Sequence, residues 1–149
     1  MVRYITVFLL ATIGTIIIDQ NIKTIFVEGG YYFEGACINL ELHYNRGVAF
    51  SMFAFLGDYL KWIQLALIIG IIIFVIYDGY IKKYAFPIGL IVGGAISNLY
   101  DRFIHHGVVD YIAWHCGFNF AVFNYADVMI DIGVATILLL SIYKSKTNK

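Results

Sequence analysis

Asp19, Asp101, Asp110, Asp127 and Asp131 stand inside or beside the apolar runs of this chain. A carboxylate in a membrane segment costs about 3 kcal/mol on insertion scales, so each should face a protein interior or a wet cavity. Asp110 and Asp127 return to one surface on adjacent segments. Two carboxylates brought close cannot both ionise easily; one keeps its proton while the other gives it up. Such a pair can draw a proton from water with one oxygen and protonate a leaving amine with the other. Charge alone leaves two other readings open, helix-end solvation and a structural network. Asp19 and Lys23 are spaced i, i+4 and share a helix face. They read either as a salt bridge that makes a helix end tolerable or as a pair that lines a site.

Other reactive residue types are present. His105, His106 and His115, with Asp101 or Asp110, could hold zinc, but no H-E-x-x-H supplies the ligand spacing and general base of a zinc protease. The histidines read as a solvated loop, and no metal or cofactor is expected. Cys37 and Cys116 fall in segments where oxidation is possible; the favoured expectation is that both are reduced and buried, with a disulfide as the alternative. Asp131 lies one turn beyond Asp127 and reads first as a polar packing residue with a partner on another span. Raising the pKa of Asp127 and competing for its role are the other options.

The elements that position these residues are greasy. Of 149 residues, 61% are hydrophobic and 13% charged, against roughly 25% charged in a soluble domain. With a mean hydropathy of +0.81, the bilayer is the expected solvent. A spanning helix needs about 20 mostly apolar residues. Four runs approach that: Tyr4 towards Asp19, Trp62 to Tyr77, Tyr84 to Tyr100 and Val128 to Tyr143. Tyrosines and a tryptophan mark their ends, as interfacial aromatics do. Pro87 falls near the first turn of the third run, where it does least damage.

Basic residues orient the chain. Arg3, Lys82, Lys83, Lys144, Lys146 and Lys149 all fall on one side of a four-span arrangement, which the positive-inside rule makes the cytoplasm. Both termini are then cytoplasmic. A basic residue before an apolar run also resembles a secretory signal, but no small-residue cleavage site follows, and the first span is expected to be retained. In the outward loop, about residues 24–61, Ile38 to Tyr44 alternates like a strand. Gly29-Gly30 and Asn45-Arg46-Gly47 mark turns around it, and Val48 to Phe53 reads as a partner strand or short helix. The expected fold is one domain over residues 1–149: an all-α membrane protein with four transmembrane helices and a small extracytoplasmic β-sheet lying on the membrane surface.

Four separated motifs carry a resemblance. DQNIK (Asp19–Lys23), NRGVAFSMF (Asn45–Phe53), GGAISNLYDRFIHHGVVDYI (Gly93–Ile112) and FNYADVMIDIG (Phe123–Gly133) occur in order, at plausible separations. Together they cover most of a chain that resembles the lipoprotein signal peptidases, the signal peptidase II family of four-span aspartic proteases. The resemblance implies that Asp110 and Asp127 are the catalytic pair and that Asn45 and Arg102 hold substrate near the scissile bond. It also implies that Asn98 and Asn124 support the site by hydrogen bonding and that Asp19 and Lys23 stabilise it from the first helix. The substrate would be a diacylglyceryl-modified prolipoprotein, cut before its lipidated cysteine at the outer leaflet of the bacterial cytoplasmic (inner) membrane. Inhibition by the cyclic peptide globomycin would follow, with membrane lipid as a partner and no nucleic acid. Ser97 departs from the family pattern, which has glycine there; serine is small enough to preserve close packing. Phe50, Phe53 and Phe55 would either cover the site from lipid or serve as ordinary interfacial anchors. Asp101 and the histidines would solvate the connecting loop.

A different class remains open on the residues alone: a small transporter or proton channel using the carboxylates as a relay. It predicts acids spread through the membrane depth, whereas here most gather at one edge. A non-catalytic assembly protein would need no paired acids.

Overall fold

The structure, a computed structural model, describes residues 1–47 and 54–147. Val48 to Phe53, and with them Phe50 and Phe53, lie outside the described residues. Four long helices appear in chain order with a three-stranded sheet: α1 (Val2–Val27), β1 (Phe33–Glu34), β2 (Ile38–Asn45), α2 (Tyr59–Tyr77), α3 (Ile81–Ile104), β3 (Val108–Trp114) and α4 (Tyr125–Thr147). A short 3-10 turn, Ala54–Leu56, precedes α2 and carries the exposed Phe55.

α1, α2 and α4 are each apolar and long enough to cross a membrane. α3 is the central helix: α1 and α4 pack extensively on it, and α2 packs chiefly on it as well. Lipid-facing helices can be uniformly apolar, but a helix walled by protein can carry glycine, serine and asparagine. For that reason α3 is the least apolar of the four runs. Gly93 and Gly94 set its spacing. A Cβ on Gly93 would sit 2.7 Å from the Thr12 carbonyl of α1, and one on Gly94 2.6 Å from the Ala126 carbonyl of α4. α3 bends at Tyr84 (φ −133°, ψ 30°), so Pro87 begins the straight main segment, where its missing N–H does little harm.

The helix bundle is polarised. Around the α2–α3 turn the core is apolar: Val75, Ile81, Tyr84, Ala85, Ile88 and Val92 pack with Val7, Phe8 and Ile137. At the other end buried polar and charged residues gather: Asp19, Lys23, Ser97, Asn98, Asp101 and Arg102. The sheet closes over that polar end. It is antiparallel, ordered β1-β2-β3, with Phe33 paired to Leu40, His43 to Asp110 and Asn45 to Val108. The alternation at Ile38–Tyr44 therefore does mark a strand. Its long partner, however, is β3 from beyond the third helix, in a stretch that gave no strand signal. Val108, Val109, Asp110 and Tyr111 are all buried, so β3 lacks the in-out alternation of a half-buried strand.

The cysteine expectation is overturned. Cys37 and Cys116 form a disulfide across 79 residues. β2 and β3 are in register with Ile38 opposite Trp114, and the His115 amide donates to the Cys37 carbonyl at 2.9 Å. The ladder thus brings the two flanking cysteines together at its end. The disulfide, which the sequence offered only as the alternative, is the state observed.

Candidate active site

The N-terminus of α4 is where the polar elements converge. The first amides of a helix have no partner within it, and here each finds one. Tyr125 N donates to the Tyr111 hydroxyl at 3.0 Å, Ala126 N to Asp19 Oδ1 at 2.9 Å, and Asp127 N to Asn124 Oδ1 at 2.9 Å. Asp127 Oδ2 accepts from the Asn124 amide in return, at 3.1 Å. That is a reciprocal capping box with asparagine at the cap and aspartate three residues on. It fixes the Asp127 side chain by local geometry.

Asn124, fully buried, also reaches the second carboxylate. Its Nδ2 donates to Asp110 Oδ1 at 2.7 Å, to the Val109 carbonyl at 3.2 Å and to Asn98 Oδ1 at 3.1 Å. One asparagine thus touches both Asp110 and Asp127. Asn45 Nδ2 donates to the other Asp110 oxygen at 3.2 Å, and Asn98 Nδ2 to Asp127 Oδ1 at 2.8 Å. Burial pushes the Asp110 carboxyl from an ordinary 3.8 up to about 7. Asp127 alongside pushes the same way, against the lowering hydrogen bonds from Asn45 and Asn124.

Behind the pair lies an ion network. Lys23 Nζ meets Asp19 Oδ2 at 2.6 Å, Asp101 Oδ2 at 2.6 Å and Asn98 Oδ1 at 2.9 Å. An ammonium has three protons, and all three are used. The Lys23 charge holds Asn98 with its oxygen inward, which turns its NH₂ towards Asp127. Asp101, expected to solvate a loop with the histidines, is instead fully buried. It accepts from Gln20 Nε2 at 2.8 Å and from the Val109 amide at 3.1 Å. The residue that departs from the family pattern joins too: Ser97 Oγ donates to Asp19 Oδ2 at 2.7 Å and accepts from Gln20 at 2.9 Å.

Gln20, Ser97, Asp101 and Tyr111 were not singled out as site residues by sequence. A signal for three of them exists. Asp19, Gln20 and Lys23 on α1, and Ser97, Asn98 and Asp101 on α3, are both spaced i, i+1, i+4. They form matching polar stripes on two apolar helices.

A cavity of about 470 Å³ opens beside the aspartates. Asn45, Arg102, Asp110 and Asp127 line it, together with Phe120 and Val122, Gln64 of α2, and Val128, Ile130 and Asp131 of α4. Arg102 is buried and donates through Nη2 to the Gly47 carbonyl, while its Nε has no partner among the described residues. Asp131, expected to pack against another span, is exposed on the cavity wall and makes no hydrogen bond or ion pair among the described residues. The histidines are engaged separately: His106 lies 3.5 Å from Asp58, His115 bonds Asn39 at 3.1 Å, and His105 sits against the Tyr44 ring.

Residues 11–143 match the family model described as signal peptidase (SPase) II. The chain belongs to the signal peptidase II family. A lipoprotein signal peptidase of Sulfurovum sp. (strain NBC37-1) is 66% identical over 93% of this chain and 94% of its own length. That of Sulfurimonas denitrificans is 58% identical over 99% and 95%. A bacterial membrane enzyme solved by the in meso method at 2.3 Å resolution is 29% identical, covers 95% of this chain and 90% of its own, and superposes with a TM-score of 0.80. Signal peptidase II membership makes the chain an enzyme, a membrane protease, and agrees with its helical bundle and surface sheet.

Proposed function

We propose that this enzyme hydrolyses diacylglyceryl-modified prolipoproteins before the lipidated cysteine, with Asp110 and Asp127 as its catalytic pair. The single observation that carries the reading is that Asn124 hydrogen-bonds both carboxylates at the mouth of a largely apolar cavity. Asp110, with its carboxyl raised to about 7, holds the shared proton. Asp127, half-buried and facing the cavity, takes a proton from water as the water oxygen bonds to the scissile carbonyl carbon. As the C–N bond breaks, Asp110 gives its proton to the leaving cysteine nitrogen, and the pair finishes with the proton on the opposite member.

Arg102 and Asn45, which line the cavity beside the pair, hold the substrate backbone there. Asp19 and Lys23, through Asn98, keep Asp127 in place. Apolar walls suit acyl chains and the end of a signal helix. The reaction as written draws on water and carboxylates alone.

The apolar helices and bacterial relatives support a multi-pass location in the bacterial inner membrane. In this reading both termini are cytoplasmic and the aspartates lie near the outer leaflet, with Phe55 and the sheet at the lipid boundary. The transporter reading finds no support: Asp19 and Asp101 are both tied to Lys23 in a fixed ion network, and no chain of acids descends through the bundle among the described residues.

The test is cleavage of a lipidated prolipoprotein by purified enzyme, with and without globomycin. Wild-type enzyme cleaves and globomycin blocks it. Asp110→Asn and Asp127→Asn each lose nearly all activity, roughly 10²–10⁴-fold or more for a missing acid or base, while Asp131→Asn keeps most of it. A ranking with Asp131→Asn dead and Asp127→Asn active would reassign the pair.

A further inference from the structure

Asp131 is the ionisable group of α4 that the proposed reaction does not use. It stands four residues past Asp127, about 6 Å further along the helix axis, on the wall of the same cavity. A carboxylate at that depth is tolerated where water or a partner meets it, and among the described residues no hydrogen bond or ion pair supplies one. Gln64, which lines the same cavity, spends its Nε2 on the Ala95 carbonyl, at 3.0 Å. That leaves the Gln64 amide oxygen for the cavity. The neighbouring wall residues, Val128 and Ile130, are apolar. The cavity is therefore chemically asymmetric. Donors, Arg102 and Asn45, line it beside the aspartate pair, whereas Asp131, one turn further along α4, and the Gln64 oxygen add acceptors with no donor of their own on α4 beside them.

We infer that Asp131 and Gln64 form a specificity site that reads a hydrogen-bond donor on the signal peptide just upstream of the scissile bond. This rests on the peptidase reading above. A substrate threaded past the aspartates runs extended there, since a helical backbone hides its amide from attack. Extended chain covers about 3.3 Å per residue, so the 6 Å offset brings the second or third residue before the lipidated cysteine opposite Asp131. A serine or threonine hydroxyl at that place donates to the carboxylate or to the Gln64 oxygen. Alanine leaves both acceptors facing an apolar group, which is where a site built for a donor discriminates most.

The experiment compares lipidated prolipoproteins that differ only by Ser or Ala at the second or third position before the cysteine. Wild-type enzyme is expected to favour Ser at one of these positions about tenfold in kcat/KM, the scale of one hydrogen bond to a charged group. In Asp131→Leu the preference collapses to about twofold or less by loss on the Ser substrate, mainly in KM; in Asp131→Asn part of it returns. Equal selectivity in wild-type and Asp131→Leu enzyme overturns the inference, as does an equal loss on both substrates or no Ser preference at either position. Thermal unfolding in detergent, run alongside, separates an equal loss through misfolding from one through chemistry; for a misfolded Asp131→Leu, the selectivity of Asp131→Asn and Gln64→Leu decides. Failure of wild-type enzyme to cleave either substrate would sink the peptidase reading itself, a distinguishable result.

Discussion

At the scale of single residues, Asp110 and Asp127 differ in what surrounds them, and the proposed roles rest on that difference. Asp110 sits on a strand buried on both faces, so ionising it means placing a charge in a desolvated site beside another carboxyl. The proposed cycle begins with a proton on Asp110. Activity should therefore fall on the alkaline side, with a limb near pH 7 in kcat/KM, checked by pH-rate profiles on the lipidated substrate. Asn45→Ala removes a hydrogen bond that lowers this pKa, so the limb should move to higher pH. Stability follows the same sign. The folded pKa lies above the unfolded value near 3.8, so Asp110 contributes fully below that value, and the contribution is lost as pH rises towards 7. Most of this residue-level chemistry was legible as residue type and motif: the two aspartates, the two asparagines and the Asp19–Lys23 pair. What spacing did not tell was that Asp101 is the second anion on Lys23, because the i, i+4 partner on its own helix already accounted for the lysine.

At the scale of elements, a buried lysine between two aspartates ties α1 to α3, and the same aspartate caps α4. Removing one member of such a group strands the others. Lys23→Met is expected to destabilise the fold by about 3–5 kcal/mol and to lower activity with it, read by thermal unfolding in detergent. Asn98→Ala should spare more stability but release Asp127, lowering kcat with a smaller drop in Tm. The Cys37–Cys116 bond acts on a different element, the open end of the β2–β3 ladder. Its loss in a Cys37→Ser, Cys116→Ser enzyme should cost about 2–5 kcal/mol yet leave catalysis measurable at low temperature, since neither sulfur belongs to the aspartate site. Four apolar runs made the helices readable in advance, and alternation made β2 readable. β3 was hidden because a strand covered on both faces shows a plain buried run, VVDY, that a loop between helices can equally contain. With β3 hidden, nothing favoured the disulfide over two reduced, buried cysteines.

For the whole molecule, the polar and apolar cores occupy opposite ends of the bundle, and the proposed orientation in the membrane rests on this separation. Arg3, Lys82, Lys83, Lys144 and Lys146 belong to the apolar end, away from Asp110 and Asp127. The sheet and its disulfide cover the other end. The positive-inside rule then sends the lysine-bearing turn to the cytoplasm and the sheet outward. A disulfide also demands an oxidising side, an independent argument for the same orientation. In a Cys37→Ser, Cys116→Ser background, Glu34→Cys on β1 should react with a membrane-impermeant maleimide in intact cells. Lys82→Cys in the α2–α3 turn should react only after the membrane is opened. The reverse pattern would put the aspartates at the cytoplasmic face. A lipidated cysteine presented at the outer leaflet could not then reach them, so the topology experiment constrains the chemistry as directly as a catalytic variant does.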